Sequence, residues 1–195
     1  MVFTKEVSLY YFAHVLSFFL SLLPENMRIT LARALSFLMF DCLRLRRKLI
    51  FNNLRIALKD KTDKELEQIA RLSVFHFILT VIEFLSERNG SLGKNINIEN
   101  PEIIEKALAQ GKGVIILCIH MGSWEAMGSF MTARFCPSYV VVKRVGSESL
   151  NRFVLELRQK NGFYSILKKK KGDGFLQIKE ALSRNHIVGL VMDQS

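Results

Sequence analysis

The sequence predicts an α/β fold in which N-terminal apolar helices precede a largely parallel sheet with crossover helices. Three observations predict it. The first 85 residues hold long apolar runs of helical length, whereas the remainder alternates apolar and polar segments. From Ile96 onward, short strand-like runs alternate with capped helical segments, the pattern of crossover units. The apolar run 114–119 then leads directly into His120, a turn containing Gly122, Trp124 and Glu125. Titratable groups placed just after a buried strand lie where open α/β sheets do their chemistry.

Residues 7–23 carry seventeen positions without a formal charge when His14 is neutral. That is the short end of the roughly 17–25 residues that span a bilayer. A small basic flank and no A-x-A-like site disfavour a cleaved signal peptide. The segment 1–24 is read as a membrane anchor or an interfacial helix, with Tyr10, Tyr11, Phe12, Phe18 and Phe19 compatible with either; a buried core helix is the plain alternative. Residues 25–94 form a helical segment, with helices over 27–43 and 45–58 and a third opened by the capping box Thr62-Asp63-Lys64-Glu65. Its apolar positions run at threes and fours from Leu66 to Leu85, until Asn89-Gly90 stops it. His76 within that stripe reads as a structural histidine.

Residues 95–195 form the α/β core. A short strand over 95–98 precedes Asn100-Pro101-Glu102, an N-cap, a first-turn proline and an acid. Strands are expected at 114–119, 139–142, 164–167 and 187–192. Helices are expected at about 122–134, from Ser147 to Asn161 with Gly162 as left-handed terminator, and from an Asp173 cap to Arg184. The chain stops straight after its last strand, so a shortened version of a longer protein is expected.

Net charge is +10, from 28 Lys and Arg against 18 Asp and Glu, which favours an anionic partner. Arg28, Arg33, Arg44, Arg46, Arg47, Lys48 and Arg55 lie beside apolar helices, so a cytoplasmic membrane face fits better than nucleic acid, for which there is no signature. Cys42, Cys118 and Cys136 are odd in number and lack CxxC spacing, which argues against a disulfide framework or zinc knuckle.

Five residues turn about 500° on a continuous helix, leaving His120 and Glu125 about 140° apart. They converge only across a strand-to-helix turn, which Met121-Gly122-Ser123 is short and flexible enough to supply. An ionised Glu125 near the helix N-terminus would then hold one imidazole nitrogen while the other takes a proton. That is the base and orienter of a triad without a protein nucleophile, so the attacking group would be a substrate hydroxyl. A Cys118 thiol nucleophile is the weaker rival, and no second histidine stands at metal-binding spacing.

The segment Ile119-His120-Met121-Gly122-Ser123-Trp124-Glu125 resembles the H-x-G-x-W-E signature of the lipid A biosynthesis acyltransferases, the lauroyl/myristoyl transferases of lipopolysaccharide assembly. RRKLIFNNLRIAL at 46–58, Glu83, Lys143-Arg144, Arg158 with Gly162, and Asp193-Gln194 resemble further blocks in order. The resemblance implies a glycerolipid acyltransferase-like fold at the cytoplasmic face of a bacterial inner membrane. It implies that His120, held by Glu125, activates a hydroxyl of a membrane glycolipid, a lipid A precursor, to attack a fatty acyl thioester on acyl carrier protein, with no metal or cofactor. Gly122 and Trp124 would belong to the substrate-binding box. Arg144 and Arg158 would hold phosphates, and Asp193 would orient substrate or support an arginine. Residues 44–48 and the lysines 168–171 would be docking patches for the acidic carrier. Members usually continue past the Asp-Gln pair, so an incomplete core is expected. The alternatives are a degenerate non-catalytic homologue or an acyltransferase acting on another glycolipid, such as a phosphatidylinositol mannoside.

Overall fold

The computed structural model describes residues 2–87, 96–167 and 172–193, with backbone alone for residues 2–4. The expected stop at Asn89-Gly90, Asn95, the lysines 168–171 and Gln194 lie outside the described residues. The chain divides into two compact units, one made of Met1–Phe19 with Glu87–Ser195 and the other of Leu20–Ser86. Residues 1–19 thus group with the α/β core, whereas the sequence reading set 1–24 apart.

The helical unit contains α2 (Glu25–Phe37), a π-helical turn (Leu38–Cys42), α3 (Arg47–Ala57) and α4 (Asp63–Ser86). Its core joins Ala32 of α2 to Ile78 and Ile82 of α4. The expected helix 27–43 thus ends in a widened turn, and Arg44 and Arg46 then adopt left-handed conformations with φ of 51° and 54°. The capping box forms as expected: the Thr62 amide donates to Glu65 Oε2 at 2.8 Å and the Glu65 amide to Thr62 Oγ1 at 3.3 Å. Lys61, then the Thr62 amide and hydroxyl, hold the Glu65 carboxyl down to about 2. The depressed value means this cap contributes fully above the ordinary 4.5 and fades as pH falls through about 2. Thr62→Ala is expected to cost about 1 kcal/mol of stability in urea unfolding at neutral pH. Among the described residues, α4 is the helix long and apolar enough to cross a membrane by length and composition, although it also carries the core of this unit.

In the α/β unit, the part of α1 (Val2–Leu22) up to Phe19 sets Glu6, Tyr10 and His14 at helical spacing against α7 (Glu148–Lys160). Glu6 Oε2 accepts from the Ser149 amide at 3.0 Å, and the Tyr10 hydroxyl donates to Glu156 Oε2 at 2.6 Å. Tyr11, Phe12, Val15 and Phe19 are exposed. Then come α5 (Glu102–Leu108), β1 (Val114–Cys118), α6 (Trp124–Arg134), β2 (Ser138–Val142), β3 (Tyr164–Leu167), α8 (Asp173–Ser183) and β4 (Ile187–Val191), with α7 between β2 and β3. The four strands are parallel in the order β1-β4-β2-β3. Val188 and Leu190 of β4 pack toward Ala181 of α8, while Ile187, Gly189 and Val191 face the cavity beneath α6, as strand alternation requires.

Two expectations at the edges fail. Residues 96–98 carry no strand, because no ladder partner meets them among the described residues. Asn100 is left-handed (φ 56°) rather than a cap, and α5 begins after Pro101. Ser147 does cap α7, accepting from the Leu150 amide at 3.4 Å, and Gly162 is left-handed at φ 86°.

Candidate active site

Strand order decides the site. Parallel β1 and β4 are neighbours with Cys118 opposite Val191, so residues two beyond each strand end emerge side by side. These are His120 and Asp193. The His120 amide donates to Asp193 Oδ2 at 2.9 Å, and ring Nδ1 lies 2.7 Å from Oδ1. One carboxylate thus grips both the backbone and the ring of His120. The His120 amide, then its ring, hold the Asp193 carboxyl below its usual 3.8, so it is ionised at neutral pH. An ionised carboxylate only accepts, so Nδ1 carries a hydrogen, and in the neutral imidazole Nε2 then presents a lone pair. Nε2 has no protein partner among the described residues.

Glu125 does not take the place the sequence reading gave it. The chain leaves β1, turns at Gly122 (φ 66°, where an L side chain would be strained) and enters α6 with Glu125 in its first turn. That turn points Glu125 inward to 6% exposure, where Arg158 of α7, 7% exposed, meets it. Arg158 Nη2 donates to Oε1 at 2.6 Å and Nε to Oε2 at 2.9 Å, a two-bond fork, while Nη1 reaches Ser165 Oγ at 3.2 Å. Among the described residues no hydrogen bond joins Glu125 to His120. Arg158, expected to face phosphate, is therefore occupied by Glu125 and Ser165. Arg144 stands exposed past β2, 4.0 Å from Glu148, with no contact to His120 or Asp193.

The Trp124 ring lies edge-on to the His120 ring, centroids 5.3 Å apart. Trp124 also lines a narrow, mostly apolar cavity of about 50 Å³ between α6 and the sheet, walled by Ile116, Met127, Met131, Val140 and Val191 and containing Gly189. Burial pushes the Cys118 thiol up, which opposes a thiolate nucleophile there. The sequence reading named Asp193 in a different role and missed Ser165 and Gly189. The available signal was that Asp193 follows its strand just as His120 follows its own.

A basic group held by a carboxylate, an open Nε2 and an adjoining apolar pocket can together activate a hydroxyl beside a hydrocarbon chain. Over 75 residues the chain is 29% identical to the phosphatidylinositol mannoside acyltransferase of Mycolicibacterium smegmatis, a stretch covering 38% of this chain and 25% of that protein's length. Residues 3–195, nearly the whole chain, match the family model for bacterial lipid A biosynthesis acyltransferases, and the chain belongs to that family.

Proposed function

We propose that this protein transfers a fatty acyl group from a carrier thioester to a hydroxyl of a membrane glycolipid, with His120 as general base and Asp193 as its orienter. What carries the reading is the 2.7 Å contact between Nδ1 and Asp193 with Nε2 left open. Nε2 takes the acceptor's proton as the hydroxyl oxygen attacks the thioester carbon. The tetrahedral intermediate collapses with loss of thiolate, and the imidazolium returns the proton to that sulfur. Asp193 stabilises the imidazolium in between. The acyl chain occupies the pocket beside Trp124. Glu125 and Arg158 hold α6 to α7 rather than meet the reacting atoms.

Family membership favours a lipid A precursor as acceptor, acyl carrier protein as donor and the cytoplasmic face of the inner membrane as the setting. A mannosylated phosphatidylinositol is the second reading, favoured by the mycobacterial relative. Incubating the purified chain with labelled acyl carrier protein and each acceptor separates them. Label in neither acceptor would sink the proposal.

The pocket predicts acyl length selectivity. A Cβ on Gly189 would sit 3.6 Å from the Tyr139 carbonyl and 3.9 Å from Cys118 Sγ, so the strand accepts a side chain there. Gly189→Val is expected to shift preference toward shorter acyl donors, by about tenfold in kcat/KM per methylene excluded, with thermal stability retained. An unchanged chain-length profile would place the acyl group elsewhere.

A further inference from the structure

We propose that the turn and helix after the π-helical segment form a docking face for an anionic lipid bilayer. The charges there divide into two sets. Asp41 and Glu67 are occupied by Arg47 and Arg71: Arg47 lies 2.8 Å from Glu67 and 3.6 Å from Asp41, and Arg71 contacts both carboxylates. The Arg47 guanidinium is also held over the Phe40 ring, 4.8 Å from its centroid. Asp63 is engaged by Arg55 at 3.0 Å. Arg44, Arg46 and Lys48, all exposed, have no carboxylate partner among the described residues. The local acids are thus taken by inner arginines, and three outer cations remain uncompensated.

The backbone presents them deliberately. Arg44 and Arg46 both sit in the left-handed region, where an arginine costs more than a glycine or asparagine, and the π-helical turn before them is a rare conformation. Large aliphatic groups are exposed among these cations: Leu45, Leu49 and Ile56, the last 72% exposed. Leu49 and Ile56 are seven residues apart and share one helical face. α3 buries none of its residues fully. Cations beside unpartnered aliphatic side chains match the chemistry of an interface that attracts headgroups and inserts shallowly. An acidic protein would satisfy the cations, whereas a bilayer satisfies the aliphatic groups as well.

The test floats the full chain with phosphatidylcholine vesicles and with vesicles containing roughly 30% phosphatidylglycerol. Wild type is expected to prefer the anionic vesicles and to lose that preference in high salt. Replacing Arg44→Asn, Arg46→Asn and Lys48→Gln together keeps the left-handed turn favourable and removes three charges. It should reduce the preference by roughly fivefold per charge, about a hundredfold in all. Leu45→Ser with Leu49→Ser and Ile56→Ser should weaken binding to both vesicle types and leave their ratio intact. Circular dichroism and melting confirm that each variant is folded. Equal wild-type partition, a triple charge variant with wild-type preference, or serine variants with undiminished binding would each overturn the proposal. So would a wild type that ignores vesicles yet binds acyl carrier protein through the same three cations. Vesicle binding requires no acyl transfer, so this proposal and the catalytic one fail separately.

Discussion

Asp193→Asn is expected to lower kcat for acyl transfer by about a thousandfold, close to the loss from His120→Ala, with the fold intact. The cause is the hydrogen on Nδ1. In the proposed mechanism Asp193 can only accept, so it fixes that hydrogen on Nδ1 and leaves Nε2 to receive the substrate's proton. An asparagine amide turned toward the ring can donate, which stabilises the opposite tautomer and puts a hydrogen where the lone pair is needed. It also removes the negative charge that stabilises the imidazolium. Because the Asp193 carboxyl titrates below its usual 3.8, its contact with His120 is complete above that pH and is lost only as acid takes pH through the lowered value. Asp193 should therefore add no limb to the rate profile near neutrality. Single-turnover rates with a saturating acyl donor give the measurement. A wild-type rate in Asp193→Asn would remove Asp193 from the mechanism, and a wild-type rate in His120→Ala would remove the mechanism itself.

The alternation of strands and helices after residue 110 was legible because each element carries its own signal. Val114 to Cys118 is an uninterrupted apolar run, Ser147 is a cap, and Gly162 is a left-handed stop. Strand order has no such local signal. β4 is last in sequence but lies between β1 and β2, and that insertion brings Asp193 to His120 across 73 positions of chain. A reading along the sequence finds the nearest carboxylate, Glu125, and the helical angle correctly required a turn between the two. It could not show that the turn at Gly122 carries Glu125 under α6, toward an arginine 33 residues away. The break between α2 and α3 was read at residue 44, but its form was hidden, since arginines at 44 and 46 give no sequence warning of left-handed backbone.

Arg158→Met is expected to destabilise the protein by about 3–5 kcal/mol, measured by denaturant unfolding, because it leaves the Glu125 carboxylate buried without its partner. Glu125→Leu leaves the guanidinium in the same position, apart from its weaker contact with Ser165, and should cost a similar amount. Combining the two removes both charges and should recover most of the loss, since well-packed apolar groups replace buried ion pairs with little net cost. That non-additivity separates the two possible roles of Glu125. An orienter of His120 would lower kcat in Glu125→Leu, and the Arg158 change could not repair it. A counter-ion that fixes α6 to α7 would have its loss in stability repaired by the second substitution. Wild-type stability in Arg158→Met, together with a kcat as low as that of His120→Ala, would return Glu125 and Arg158 to the chemistry. The expected result leaves them as the buried tie that holds the first turn of α6, and with it Trp124, beside the imidazole.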